Sequence, residues 1–509
     1  MISIRLPERK WVFLIIALSL VNPLHYLFFI VNHPSDSVFI GFVDDGLMMS
    51  LMQSSSRNFS DPWSNTDIFH NPLVGSPYLF SFLGLPLLLI NIPVLYLFLF
   101  YKFLFGVIYY LIAYYFINYF VKDKKITAVA FVLFMFMAGI GGLLYTLEYV
   151  VTGHNSFYVG SVLTSEFDEL GGLSHSLTHL PRLYYLIPEI LLYLLLLAYV
   201  AKRKFISGVL LGIAGLIYPM SFIVGISIIF LYTIFYKKPL TELFLVIIIG
   251  TLVIIPWFKA YTDEPLFFDV VKEESFANFS PIKIIVSYFL ALPFLFYLLK
   301  KNRKLDLSIK FLFAWAGIFA LISMIPPEIV HVFTARFGSM LLMPISILTA
   351  YGILLVSKRY KINPRIFILI ILVVSFLSIA GFNTRIQKQG REEGLSNVYL
   401  SENDYNALLF LKTQPQGRII ASQKISIFTP VYSGQKAFFF SGRIKDNVDD
   451  YMLFYNSSTS VDTRNGIIRK YYITYIFYGN SEKKLNSYFL APENAELIYD
   501  NGTQIYFIH

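Results

Sequence analysis

Cysteine is absent from all 509 residues, so the chain has no disulfide, thiolate metal site or cysteine nucleophile. Charge is scarce as well. Asp, Glu, Lys and Arg together make up 14% of the sequence, against 56% apolar residues and a mean hydropathy of +0.62. That balance lies outside the globular range and reads as a polytopic membrane protein. There is no Gly-rich phosphate loop of the Walker type, which excludes an ATP-driven pump. The four tryptophans stand apart at 11, 63, 257 and 315, so no Trp-Trp-Asp run occurs. The net charge of +9 does not mark a nucleic-acid binder. The basic residues fall in short clusters between apolar runs, as membrane topology demands.

Aromatic residues are abundant, with 50 Phe and 36 Tyr, many near the ends of apolar runs where aromatic belts sit. With about 20 apolar residues needed per span, the candidate spans are 11–31, 94–120, 126–147, 183–200, 205–218, 219–236, 243–261, 282–300, 309–325, 338–357 and 365–382. The first is too long for a signal-peptide core and no small-residue cleavage site follows, so it reads as a retained span. One set of connections carries nineteen basic residues, including Lys122, Lys202, Lys237 and Lys361, and the other set (32–77, 148–182, 259–281, 326–337) carries five. The positive-inside rule places the first set in the cytoplasm. The sets alternate if 205–236 is a hairpin of two short helices broken at Tyr218-Pro219, where proline interrupts the helix. About eleven spans follow, with the N-terminus inside and the C-terminus outside. Pro77, Pro86 and Pro93 argue that 76–92 dips into the bilayer without crossing, and Lys102 interrupts the apolar stretch after it. Asn-x-Ser/Thr sequons at Asn58, Asn278, Asn456 and Asn501 all fall on the outer side.

The expected organisation is a membrane domain over 1–385, with outer loops at 32–77 and 148–182, and a small α/β extracytoplasmic domain over 386–509. In the latter, Ser401 precedes Glu402-Asn403-Asp404 and an amphipathic run to Leu411, a capped helix that Pro415 ends. Residues 419–421, 437–440 and 471–477 read as strands. The tail, 497–508, reads as a hairpin around Asn501-Gly502.

Two adjacent acids, Asp44 and Asp45, lie a dozen residues beyond the first span, in Val43-Asp44-Asp45-Gly46-Leu47. Ionisable groups beside a bilayer are costly and point to function. From Gly46 to Asn58, Leu47, Met48, Leu51 and Met52 share one helical side, which suggests a helix in the interface plane whose methionines accommodate lipid. The plain alternative is a solvated loop whose acids cap that helix. The acid pair after span one, the many spans and the C-terminal domain together resemble the GT-C superfamily of membrane glycosyltransferases. That superfamily includes protein mannosyltransferases and the aminoarabinose transferase of lipid A. The resemblance implies a polyprenyl-phosphate sugar as donor, a lipid, glycan or protein acceptor, and transfer of a single sugar at the outer membrane face. The missing Trp-Trp-Asp argues against en bloc transfer to Asn.

Such a reaction needs a base for the acceptor hydroxyl, and one carboxylate suffices for inversion. Asp44 is the candidate. Asp45 would hold the acceptor, orient Asp44 or bind a divalent cation (Mg or Mn), and the two roles are exchangeable. A lipid-phosphate leaving group needs positive charge rather than an acid. Arg336, in His331-Val332-Phe333-Thr334-Ala335-Arg336-Phe337, resembles the Arg-Phe that opens a late span in the superfamily, and guanidinium grips phosphate at two points. Arg182 is the second candidate, and a snorkelling interfacial Arg is the plain reading of each. In the second outer loop, Glu148, His154, Asp168, His175 and His179 are candidates for the acceptor pocket. His175 and His179, four apart, share a helix face and with an acid have metal-ligand spacing. Glu189, after Pro188, and Glu328 are secondary polar candidates. The rival readings are a flippase for lipid-linked sugars and a noncatalytic assembly protein. The span cores hold almost no charge, which argues against a transporter.

Overall fold

The computed structural model describes residues 7–31, 36–39, 43–55, 77–90, 92–152, 183–262, 285–301, 306–325, 336–392, 399–438 and 445–509. The chain is mostly helical and divides into two compact units. One gathers Met1–His25, Tyr101–Phe258 and Val271–Lys388, and the other Tyr26–Phe100, Lys259–Val270 and Gln389–His509.

In chain order the first elements are α1 (Arg9–Val31), β1 (Ser37–Phe39), α2 (Val43–Ser55), α3 (Pro77–Gly84), α4 (Pro86–Leu89), α5 (Val94–Val121), α6 (Lys124–Phe136) and α7 (Gly141–Thr152). Then come α8 (Leu183–Val200), α9 (Lys204–Ile217), α10 (Pro219–Phe235), α11 (Leu240–Thr262), α12 (Leu292–Lys301), α13 (Leu307–Ser323), α14 (Arg336–Ser339), α15 (Leu342–Tyr360) and α16 (Pro364–Glu392). Among the described residues, α5 and α15 are long and apolar enough to cross a membrane, and seven shorter apolar helices accompany them.

The basic clusters have a structural job. Lys122, Lys202, Lys237 and Lys361 each follow a helix C-terminus with a left-handed backbone (φ 58°, 61°, 48° and 55°). The reversal lets the next N–H reach back to an orphan carbonyl: Arg203 to Ala198 at 2.9 Å, Lys238 to Thr233 at 2.9 Å, Ile362 to Ser357 at 3.2 Å. The ammonium groups also favour the negative end of each helix. At the start of α6 the Asp123 carboxylate accepts from the N–H groups of Lys125 and Ile126 at 2.8 and 3.0 Å, an N-cap. Helices α9 and α11 approach closely at Gly208 and Gly212. A Cβ on Gly208 would stand 2.5 Å from Ile249 Cβ, and one on Gly212 would collide with Val253. Small residues four apart are the usual device for close helix contact in lipid, where apolar burial gives no net drive. The core of this unit is aromatic, with Phe116 packed on Tyr193 and Trp315 at ring distances of 5.2 and 6.1 Å.

The structure corrects the expected span over 126–147. That stretch breaks after Phe136 and restarts at Gly141. The interrupted backbone is repaired from outside: Ala138 N–H donates to Ser375 Oγ at 3.0 Å, Leu143 N–H to Ser378 Oγ at 3.4 Å and Ile140 N–H to the Val286 carbonyl at 3.2 Å. The cause is local. Gly139, Gly141 and Gly142 weaken helix propensity, and irregular backbone persists only where protein satisfies it. The 76–92 stretch forms α3 and α4, each opening on a proline at its first position.

The second unit carries β2 (Tyr399–Ser401), α17 (Glu402–Leu411), β3 (Arg418–Ile420), α18 (Gln423–Tyr432), β4 (Lys436–Ala437), α19 (Lys445–Tyr455), α20 (Val461–Tyr471), β5 (Tyr475–Tyr478), α21 (Asn480–Leu485), β6 (Ala495–Asp500) and β7 (Gln504–Ile508). The sheet order is β4-β3-β5-β7-β6, with β3 parallel to β4 and β5, and β7 antiparallel to β5 and β6. Ser401 Oγ caps α17 by accepting from Asp404 N–H at 3.1 Å, and the β6–β7 turn has Gly502 at φ +77°, both as the sequence reads. The expected strand over 471–477 is corrected. Tyr471 ends α20, Tyr472 turns left-handed at φ 53°, and the strand begins at Tyr475. The Ser460 N-cap, which accepts from Thr463 N–H at 3.2 Å, and burial of Ile467 and Ile468 outweigh the β propensity of the tyrosines.

Glu482 is fully buried. Its carboxylate accepts from Ser422 N–H at 2.6 Å, Gly479 N–H at 3.1 Å and Tyr451 OH at 3.3 Å. Burial pushes this carboxyl up from 4.5 to about 7, with Asp404 adding to the rise and the backbone donors opposing it. A raised acid pKa means the folded state binds the proton more tightly. Its stabilisation is complete below about pH 4.5 and is lost as pH rises through about 7, by roughly 3 kcal/mol. Melting curves of the full chain in detergent should show that slope, and Glu482→Gln should flatten it. An unchanged slope in the variant would assign it to another group.

Candidate functional site

Asp44 and Asp45 are the second and third residues of α2, in its first turn. Leucine and methionine make this stretch a good helix former. The helix is sunk in the second unit: Met48, Met49, Ser50, Leu51 and Met52 are all buried, none more than 5% exposed. The expectation of methionines turned to lipid is therefore corrected, since α2 packs between α3 and α18. Just ahead of it, β1 pairs antiparallel with β2, Ser37 opposite Ser401 and Phe39 opposite Tyr399. Glu402 N–H adds a bond to the Asp36 carbonyl at 2.9 Å. The segment bearing the acid doublet is thus bound on both sides to residues 399–432.

Arg336 is the first residue of α14, and Glu148 lies in α7. Both belong to the first unit and the acid doublet to the second. Arg182 stands immediately before α8 but, with His154, Asp168, His175, His179 and Glu328, lies outside the described residues. Among the described residues, no group of three His, Asp or Glu is placed to hold a metal ion.

The first unit buries more charge than the expected near-absence of charge from the span cores allows. Glu189 is buried in α8, and its Oε1 accepts from Tyr193 OH at 2.8 Å and Tyr109 OH at 3.0 Å. Lys102 is buried in α5. In the same unit Tyr288 OH donates to the Gly338 carbonyl at 3.2 Å. The four-residue spacing of Glu189 and Tyr193 was the available signal; the third partner, 80 positions away, left none.

No protein-family model matches the sequence, and comparison with curated proteins gives no match. Solved structures do match. The Archaeoglobus fulgidus oligosaccharyltransferase in complex with zinc and sulfate superposes with a TM-score of 0.53 at 12% identity, over 92% of this chain and 67% of that one. The same enzyme tethered to an acceptor peptide containing the NVT sequon gives 0.52 at 11% identity, over 93% and 69%. ArnT from Cupriavidus metallidurans bound to undecaprenyl phosphate gives 0.52 at 10% identity, over 98% of both chains. Likeness at such low identity is one of fold. On that ground this chain shares the fold of those two enzymes.

Proposed function

We propose that this chain is an integral membrane glycosyltransferase that moves a single sugar, a hexose or hexose derivative, from a polyprenyl-phosphate carrier to an acceptor at the outer membrane face. The observation that carries the reading is the end-to-end likeness to a transferase structure holding undecaprenyl phosphate, over 98% of both chains. In this reading about eleven spans run from an inner N-terminus to an outer C-terminus. Residues 1–385 form the membrane domain and 386–509 an extracytoplasmic domain over the site.

Asp44 removes the acceptor proton as the hydroxyl attacks the anomeric carbon, with inversion. Asp45 orients Asp44 and the acceptor, or binds a divalent cation; loss of turnover in chelator, restored by Mg or Mn, separates these roles. Arg336, seconded by Arg182, holds the lipid phosphate as negative charge builds on it. Glu148, His154, Asp168, His175 and His179 line the acceptor side.

The decisive experiment incubates purified protein with a panel of radiolabelled polyprenyl-phosphate sugars and membrane extract. Label should leave one donor for an acceptor, with release of the lipid phosphate. Arg336→Ala should then raise the donor KM and lower kcat, by about 10²-fold in kcat/KM, with Arg336→Lys recovering only part, because an ammonium offers a point charge and not a fork. The buried Glu189 and Lys102 and the broken helix at 137–140 favour a second reading, a flippase. A flippase would translocate the intact donor and cleave no glycosidic bond in the same assay.

A further inference from the structure

We infer that Gly46 is a positioning residue for the acid doublet: its missing side chain lets the first turn of α2 seat against Ile427 and Phe428 of α18, so residues 423–432 set where Asp44 and Asp45 stand. The inference rests on the catalytic reading above for its consequence, but its geometry is independent. A Cβ on Gly46 would lie 2.7 Å from Ile427 Cγ2 and 2.8 and 2.9 Å from Cε1 and Cζ of the Phe428 ring. Real side chains do not tolerate such distances, so one partner would have to move. The partners have little freedom, since Ile427 and Phe428 are both fully enclosed.

Helix α18 is itself held in place. Ser426 N–H donates to the Ser422 carbonyl at 2.9 Å, Ser426 Oγ to the Ala421 carbonyl at 3.2 Å, and Ser422 N–H to the buried Glu482 carboxylate. Strain from an added Cβ would therefore go mainly into α2, one residue from Asp45. Helix propensity argues in the same direction: glycine costs about 1 kcal/mol relative to alanine inside a helix, a cost that the close approach explains. A shift of about 1 Å in a reacting group is enough to lose about 10²-fold in turnover.

The cysteine-free chain makes the seat directly testable. In Gly46→Cys/Ile427→Cys/Phe428→Ala the two side chains that would meet the new Cβ are cut back, and the new sulfurs hang from facing positions on α2 and α18 that a disulfide can bridge. Mild oxidation of the full chain in detergent should give an intramolecular crosslink, read by mass or gel mobility, with no activity required. Separately, Gly46→Ala should lower kcat by about 10²-fold with donor KM close to the parent and a melting temperature lowered by the strain. Relieving the contact with Ile427→Ala and Phe428→Leu in the same chain should restore part of kcat. Failure to crosslink, or wild-type kcat in Gly46→Ala, overturns the inference. If the parent chain itself transfers no sugar, the proposed function falls, and the crosslink alone decides whether α2 is seated on α18.

Discussion

Asp44→Asn is expected to reduce sugar transfer by about 10²–10⁴-fold, the range contributed by a positioned general base, while leaving the protein folded and able to bind donor. The substitution keeps the size of the side chain and removes its capacity to take a proton. Because α2 packs through Met48, Met49, Leu51 and Met52, the helix and its seat should survive, and melting temperature should stay near that of the parent. Asp45→Asn is the necessary companion. If Asp44 is the base, its variant loses the acid limb of the kcat/KM pH profile, and the Asp45 variant keeps that limb at reduced rate. The reverse pattern exchanges the two roles. An assembly protein or a flippase would be indifferent to loss of a base, so retention of full activity in both variants would remove the catalytic reading.

Arg464→Ala should cost roughly 3–5 kcal/mol of stability in the second unit, the largest structural effect expected here. Arg464 is only 4% exposed. Its Nε donates to the Phe454 carbonyl at 3.0 Å, one terminal nitrogen to the Leu490 carbonyl at 2.9 Å and the other to the Asn456 carbonyl at 2.8 Å. Phe454 and Asn456 bracket the C-terminus of α19, where orphan carbonyls gather. The guanidinium therefore closes that helix end, balances its dipole and ties it to the 490 loop, while packing 5.1 Å from the Phe489 ring. Alanine would leave three carbonyls without donors and a gap beside the aromatic core. Arg464→Lys should recover less than half, since one ammonium cannot point in three directions. Denaturant midpoints of the three chains, measured in detergent, check this; a loss below about 1 kcal/mol for alanine would mean that water replaces the guanidinium.

Most helix limits were legible from the sequence because their signals are local. Ser401 before Glu402-Asn403-Asp404, the break at Tyr218-Pro219 and the Asn501-Gly502 turn each act within a few residues. The position of Asp44-Asp45 was legible for the same reason, being set by the length of the first apolar run. Signals that required distant partners were not. The pairing of β1 with β2 joins residues more than three hundred positions apart, and three-residue strands have no periodicity to read. The break at 137–140 was marked by glycines, but the serines of α16 that repair it were unforeseeable. Glu189 stood out in the sequence, whereas its partner Tyr109 did not.

Composition, hydropathy and the alternation of basic clusters point by themselves to a membrane chain with an acid pair just beyond its first apolar run, because solvent and lipid act on each segment separately. Only the tertiary structure decided that the acid pair rides on a helix buried in the C-terminal unit and that Gly46 permits its seat. Close packing is a property of two surfaces at once, and the second surface, Ile427 and Phe428, lies far along the chain.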